Sequence, residues 1–327
     1  MTVLIIAPDG DLHAAAVGAE IERVGGSVIV ADLSSFPQGA TMGARYVGDG
    51  GRRHGLRFED GACDLDEIGS IWWRRGAQLH INLEVAGDTQ RPFGPNEAQE
   101  ALAGLWYALD VFWVNDPEHD RLARRTIAQL RSAQDIGLRT ADTLICNDPD
   151  EAMRFIEEHG HGRVAYRAFS ILPGPRRTPR LLRPAELKLI DCVRYAPVIL
   201  QEHVDALCDV RAVVVGDRLF AGALQSGDSG AVGDGLRAPA TVGMEAIEVP
   251  EEVSGRLMDL VRRLGLVYGA IDLRLRSDGE WVFMELDPAG EWLSIEHATG
   301  QPITAAMADL LVRNGVAGSA EKVLRLG

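Results

Sequence analysis

Lysine is nearly absent from this 327-residue chain: among 33 basic residues only Lys188 and Lys322 are lysines, so cationic work at any site falls to guanidinium groups. Positive charge is scarce as well. The net charge of −15 argues against broad binding to nucleic-acid backbones, which needs a basic surface, although a local basic groove stays compatible with it. No apolar run approaches the ~20 residues that span a bilayer. The amino end has no basic leader and reaches Asp9 too soon for a signal peptide, so a soluble, cytoplasmic protein without a membrane partner is expected. Cys63, Cys146, Cys192 and Cys208 lack metal-like or redox-like spacing and read as cytosolic core thiols. No Gly-x-Gly-x-x-Gly follows the first apolar strand, which disfavours a dinucleotide site. Ser, His and Cys form no nucleophile constellation; His297 reads better as a packed histidine than as a lone acid or base. No repeat at solenoid periods appears.

What is present suits an α/β protein of two or three domains: 46% hydrophobic and 25% charged residues, in a length that holds several units of about 100–150 residues. Val3–Ile6, a helical pattern through Ala14–Val24 and Ser27–Ala31 make a βαβ unit ended by Gly25-Gly26. A hairpin is expected around 55–61. Ile71-Trp72-Trp73-Arg74-Arg75 reads as a strand packing its tryptophans with arginines at its mouth, more readily than as a base-stacking site. Helical spacing covers Asn96–Asp110, and Phe112–Asn115 is a strand that stops at Asp116-Pro117. Leu122–Gly137 reads as one helix, Thr140–Ile145 as one strand, and Asn147-Asp148-Pro149 caps a helix through Glu158. Arg163–Phe169 is a strand leading to a basic loop, Pro173–Arg177. A helix over 185–196, a strand Pro197–His203, a hairpin of Asp209–Val215 with Arg218–Gln225, a loop from Ser226 to Pro239 and a helix Glu251–Leu264 follow. The tail Pro302–Asn314 is helical.

The rest serves Tyr268–Glu296. Runs Gly269–Leu275 and Glu280–Leu286 flank Ser277-Asp278-Gly279 and read as an antiparallel hairpin. In simple register Asp272, Glu285 and Asp287 converge. Three carboxylates suit Mg²⁺, a hard cation that keeps waters and is completed by substrate phosphates. A solvated acidic hairpin is the competing reading, weakened by Glu285 sitting between Met284 and Leu286, where an unpaired charge is costly.

Asp272-Leu273-Arg274, Glu285-Leu286-Asp287-Pro288, Gly290-Glu291-Trp292, Ile295-Glu296 and Thr299-Gly300 together resemble the metal-binding end of an ATP-grasp ligase, and most closely the graspetide maturases, macrocyclases of the microviridin type. The resemblance implies an ATP-grasp fold with an N-terminal pre-ATP-grasp α/β domain (1–116), a central domain (117–197) and a C-terminal nucleotide and metal domain (198–327). It implies ATP and Mg²⁺ as cofactors, with the cation on Asp272, Glu285 and Asp287, the last an asparagine in most of the family. Gln201-Glu202-His203-Val204 is similar to the hinge where Glu202 takes the adenine amine and the Val204 backbone bonds the ring, and Asp209 matches the ribose position. Arg167 stands where a phosphate-binding lysine is usual, and Thr126 replaces a second such lysine. Arg211 and Arg274 are each expected to pair with the carboxylate two residues before, Asp209 and Asp272; planar guanidinium suits phosphate or acyl phosphate, with structural ion pairing the competing account.

The activity implied is an ADP-forming ligase that crosslinks side chains within a ribosomal precursor peptide bearing a leader segment, through an acyl phosphate. No nucleic acid is implied, and there is room for a homodimer. Two other functions remain: a catalytically weakened ATP-grasp scaffold that binds a peptide or protein partner, and a ligase of small amino acids.

Overall fold

A computed structural model of the chain describes residues 1–59, 61–76, 90–169, 180–225 and 243–325. The loops expected at Pro173–Arg177 and Ser226–Pro239 lie outside the described residues. The chain folds as two compact units, one of residues 1–121, 266–268 and 302–327, the other of 122–265 and 269–301. This division differs from the three-lobed expectation, in which the tail belongs to the C-terminal domain.

In the first unit β1 (Thr2–Ile6) pairs in parallel with β2 (Ser27–Ala31), the helix Leu12–Arg23 making the crossover. The Asp11 carboxylate starts that helix by accepting from the Ala14 N–H at 2.9 Å. Gly25, at φ 85°, ends it, which no side-chain-bearing residue does cheaply. Then β3 (Ala40–Tyr46), β4 (Arg52–Phe58) and β5 (Gly61–Asp64) form a separate antiparallel sheet. Of these β3 has no counterpart in the sequence reading, because Gly43 and Ala44 dilute its alternation. β6 (Ile68–Trp73) and β7 (Phe112–Val114) complete a parallel sheet of order β2-β1-β6-β7. Trp72 is 1% exposed, and Trp73 and Trp113 each meet Trp106 edge-on with centroids 6.0 Å apart. Arg74, fully buried, stands 3.4 Å from the Asp11 carboxylate. Trp106 comes from the helix Gln90–Ala108, which begins before the expected Asn96 and carries Pro95 inside it.

The C-terminal helix Ile303–Arg325 packs on the helix Leu12–Arg23 and on β6. Close approach requires glycine on both sides: a Cβ on Gly69 would meet the Gly315 carbonyl oxygen at 3.0 Å. Asn115, 1% exposed, closes the unit by bonding to residues 267 and 268: its Oδ1 accepts from Val267 N (2.9 Å) and Tyr268 N (3.0 Å), and its Nδ2 donates to Tyr268 O (2.9 Å).

The second unit holds two sheets. β8 (Arg139–Thr140) pairs in parallel with a later strand of the six-stranded sheet, whereas β9 (Thr143–Cys146) joins the four-stranded one. The single strand expected over 140–145 is thus two, switching sheets at Ala141-Asp142. The Asp142 N–H donates to Glu202 Oε1 at 2.9 Å and the Glu202 N–H to the Asp142 carbonyl at 2.9 Å, so Glu202 fixes the crossing. β10 (Val164–Arg167), β11 (Arg180–Leu181) and β12 (Val198–Glu202) give the four-stranded order β11-β10-β12-β9. The helix expected over 185–196 is a 3₁₀ helix, Pro184–Tyr195. β13 (Cys208–Val215), β14 (Arg218–Gln225), β15 (Glu245–Ala246), β16 (Tyr268–Leu275) and β17 (Trp281–Asp287) order the larger sheet as β15-β14-β13-β16-β17-β8. All eight residues of β13 are buried, as a central strand covered on both faces requires.

Two outcomes check this account. Asn115→Leu keeps the volume and strips three backbone groups of their partner, so urea unfolding is expected to show a loss of about 2–4 kcal/mol. At the edge of the smaller sheet, Arg180 and the Arg183 N–H hold the Glu186 carboxyl down to about 2 from its ordinary 4.5. A depressed carboxyl stabilises the fold above the unfolded value and loses that contribution as pH falls from 4.5 towards 2. Carboxyl NMR titration of Arg180→Gln should return Glu186 most of the way.

Candidate active site

β16 and β17 pair antiparallel with Asp272 directly opposite Glu285 and Ala270 opposite Asp287, the register shifting after Asp272. Side chains directly opposite on neighbouring strands stand about 5 Å apart, so Asp272 and Glu285 share one face of the sheet. Asp287, at the strand's end, turns the chain: its Oδ1 accepts from the Ala289 N–H at 3.0 Å. The backbone then passes so close to β16 that a Cβ on Gly290 would meet the Ala270 Cβ at 2.3 Å. Only glycine fits there.

Each of the three acids is met by an arginine. Arg211 grips Asp272 with both arms of its fork, Nε to Oδ1 at 2.7 Å and Nη2 to Oδ2 at 2.9 Å. Arg167, from β10, donates through Nη2 to Glu285 Oε2. Arg124 reaches Asp287 Oδ1 at 3.4 Å. Burial pushes the Arg167 guanidinium below its ordinary range, and the Asp272 charge opposes that. Among the described residues no three His, Cys, Asp or Glu side chains stand close enough to cage a metal ion by themselves. Oxygen donors on two adjacent strands still fit Mg²⁺, which is seldom held by protein alone and takes water and phosphate oxygens to complete its shell.

Pairing of the arginines corrects a simple reading of the sequence. Arg211 and Arg274 each follow a carboxylate by two residues, but their partners are exchanged: Arg211 takes Asp272, and Arg274 takes Asp209 (Nε to Oδ1, 2.9 Å). The reason is strand geometry. Residues two apart along a strand are nearly 7 Å apart, whereas neighbouring strands lie ~4.8 Å apart, and β13 is the neighbour of β16. Arg274 also donates to the Val204 carbonyl at 2.7 Å, and both Arg211 and Arg274 are 6% exposed.

The residues expected at the hinge stand at the end of β12 and just beyond it. Gln201 is buried and donates to Thr143 Oγ1 at 3.1 Å; Glu202 is committed on one oxygen to Asp142; Val204 is buried, its carbonyl held by Arg274. Asp209 is buried beside Arg274. Burial, then the charge of Arg274, pushes the His203 imidazole down, favouring its neutral form. The structure therefore ties the expected ribose residue Asp209 and hinge residue Val204 to Arg274, and the expected metal residues Asp272, Glu285 and Asp287 to Arg211, Arg167 and Arg124 in turn.

One positioning residue escapes the sequence reading. Gln129, 5% exposed, donates to the Ala123 carbonyl (2.6 Å) and the Leu286 carbonyl (2.7 Å) and accepts from the Leu286 N–H (3.0 Å). It holds β17 between Glu285 and Asp287. The same contact explains why the expected single helix 122–137 is two, Pro117–Ala123 and Thr126–Asp135: the Gln129 amide takes the carbonyl that a continuous helix would use. Thr126 opens the second of these helices. No local pattern marks Gln129, because its partners are backbone groups of a distant strand.

The comparisons bear on the same features. The family described as the MvdD pre-ATP grasp domain matches residues 2–121. The macrocyclase MdnB from Microcystis aeruginosa MRC is similar at 28% identity and a TM-score of 0.77, over 95% of this chain and 99% of that one. A RiPP-associated ATP-grasp ligase of Chryseobacterium gregarium, solved with ADP and a leader and core peptide, matches at 23% identity and a TM-score of 0.84, over 95% and 96%. MdnC from Microcystis aeruginosa MRC, bound to precursor peptide MdnA, matches at 22% and 0.83, over 96% and 100%. Among curated proteins none matches the chain.

If Arg167 handles phosphate, Mg²⁺–ATP stabilises the protein by ~2.7 kcal/mol when the ligand stands at about 100 times its Kd. Arg167→Ala should lose most of that shift in a thermal titration. Arg167→Lys separates charge from fork geometry: retained binding means charge suffices, and lost binding means the planar guanidinium is needed.

Proposed function

We propose, from the premise that the chain is an ATP-grasp ligase of the graspetide-maturase type, that it joins side chains within a precursor peptide at the expense of ATP. The observation that carries this reading is the pair of opposed acids on β16 and β17, with arginines on both, inside an ATP-grasp fold matched over some 95% of the chain by ligases solved with peptide.

A carboxylate oxygen of the peptide attacks the γ-phosphorus of ATP, forming an acyl phosphate and releasing ADP. A hydroxyl or amine of the same peptide then attacks the acyl carbon, loses its proton and expels inorganic phosphate. The product is an ester or amide, and the peptide is lighter by one water. Asp272, Glu285 and Asp287 would hold the cation, which would supply positive charge to neutralise the phosphate oxygens. Arg167 lies beside Glu285 and is assigned to the phosphate chain. Arg211 and Arg274, buried and preorganised by Asp272 and Asp209, stabilise negative charge without reorganisation during the reaction. Gln201, Glu202 and Val204 receive the adenine and Asp209 the ribose. Catalysis comes from positioning and charge, with no covalent protein nucleophile.

One observation favours a second reading, the scaffold without turnover: with Thr126 and Arg167 at the two positions usual for lysine, and Arg167 already engaged by Glu285, phosphate binding depends on that pair opening.

Mass spectrometry of a small Thr/Ser- and Asp/Glu-rich peptide encoded nearby, incubated with protein and ATP, should show a loss of about 18 Da per crosslink, one water for each bond formed. Glu285→Gln should abolish it in a folded protein, and Asp287→Asn, which preserves an oxygen ligand and the turn, should be milder. Full turnover by folded Glu285→Gln would sink the assignment. ADP release with free amino acids and with no peptide would point to the small-molecule ligase.

A further inference from the structure

Most of the described arginines are engaged. Arg23, Arg121, Arg124, Arg163, Arg167, Arg180, Arg194, Arg211, Arg256, Arg262, Arg263, Arg274 and Arg313 each bridge to a carboxylate. Apart from Arg125 and Arg183, the described arginines whose side chains make neither a hydrogen bond nor an ion pair gather on the small sheet of the first unit: Arg45 on β3, and Arg52, Arg53 and Arg57 on β4. In a chain with 48 acidic residues this concentration needs a cause.

Register sharpens it. Arg45 pairs directly with Arg53, Gly43 with Gly55 and Thr41 with Arg57. By alternation Arg45, Arg53 and Arg57 share one face with the two glycines, while Ala40, Met42, Leu56, Phe58 and Cys63 on the other face join the core. All three of those arginines are exposed. Like charges directly opposite on neighbouring strands destabilise a sheet, and among the described residues no carboxylate forms an ion pair with these three. Asp64, opposite Gly55, is the acid nearest in register, and its Oδ1 accepts from the Asp66 N–H at 3.1 Å. Between the arginines the floor is flat: a Cβ on Gly43 would meet nothing within 4 Å.

We propose that the outer face of this sheet docks an acidic, extended segment of the peptide substrate, its carboxylates taken by Arg45, Arg53 and Arg57 and its backbone lying over Gly43 and Gly55. The proposal rests on the ligase reading, because ligation through carboxylates needs a substrate that brings several of them. A protein of net charge −15 repels such a peptide over most of its surface, so an uncompensated basic face is where it can approach. Guanidinium forks hold carboxylates in bidentate fashion and supply the specificity.

The test uses the full chain and a fluorescein-labelled peptide of alternating Glu and Ser, about 12 residues long, with a Gln/Ser counterpart, read by anisotropy at low salt because exposed charge contacts are screened. Wild type should bind the Glu peptide, and the Arg45→Gln, Arg53→Gln, Arg57→Gln triple variant about tenfold or more weakly. The Gln peptide should bind as poorly as the variant does. Arg125→Gln, which also removes a lone exposed charge, should leave binding unchanged. If the triple variant fails to fold, Arg53→Glu replaces it, since a carboxylate opposite Arg45 should support the sheet while weakening docking. Equal binding by wild type and folded variant, no binding of the Glu peptide by wild type, or a shift from dimer to monomer on sedimentation of the variant would each overturn the proposal, the last by assigning the face to a second copy. The Mg²⁺–ATP thermal shift should be the same in all these variants. Its absence from wild type would be the failure of the ligase reading, whereas its presence without docking would be the failure of this inference alone.

Discussion

The exchange of partners between β13 and β16 governs the geometry of the candidate site. Four charges, Asp209, Arg211, Asp272 and Arg274, stand on two adjacent strands and are largely removed from water. A buried charge that loses its partner costs ~3–5 kcal/mol, so slipping either strand by one residue would strand all four. Register is fixed by electrostatics as well as by the apolar faces. With β16 fixed, the antiparallel pairing with β17 places Glu285 opposite Asp272, and Gln129 holds β17 from its other side at Leu286. Gln129, whose partners are all backbone groups, thus helps to aim the acids from outside the candidate site.

Scarcity of lysine acquires a structural meaning here. A lysine ammonium is a compact charge on a flexible stem, whereas an arginine fork matches a carboxylate plane and loses less freedom on binding it. Arg211 uses that match on Asp272, and Arg167 and Arg124 engage the other two acids. On the proposed reading a cation at Glu285 would compete with Arg167 for that carboxylate, and an incoming phosphate chain could receive the freed guanidinium, while Arg211 stays on Asp272.

Much of this was legible in the sequence, for local reasons. The turn at Asp278-Gly279 sets the β16–β17 register to within the observed shift, and with it the opposition of Asp272 and Glu285. The first βαβ unit follows from Asp11, the apolar face through Ile21 and the stop at Gly25. What escaped is non-local. The true partners of Arg211 and Arg274 depend on which strands are neighbours, which alternation along one strand does not contain. Asn115 and Gln129 act on backbone groups more than 150 residues away, and nothing in their own neighbourhoods announces it. The split of 139–146 between two sheets follows from Glu202 seizing the Asp142 N–H, again a distant partner. The break after Ala123 comes from Gln129 competing for a helical carbonyl, where helical periodicity predicts no interruption.

The placement of the C-terminal helix bears on how the protein is made. Residues 303–325 cover β6, a strand completed some 230 residues earlier in synthesis, through the Gly69–Gly315 approach. During translation the first parallel sheet must therefore wait with that surface bare until residues 303–325 leave the ribosome. The unit is then late to mature although residues 1–121 precede that helix in synthesis. Cutting the gene near residue 121 would yield a fragment lacking part of its own wall, prone to stick to itself.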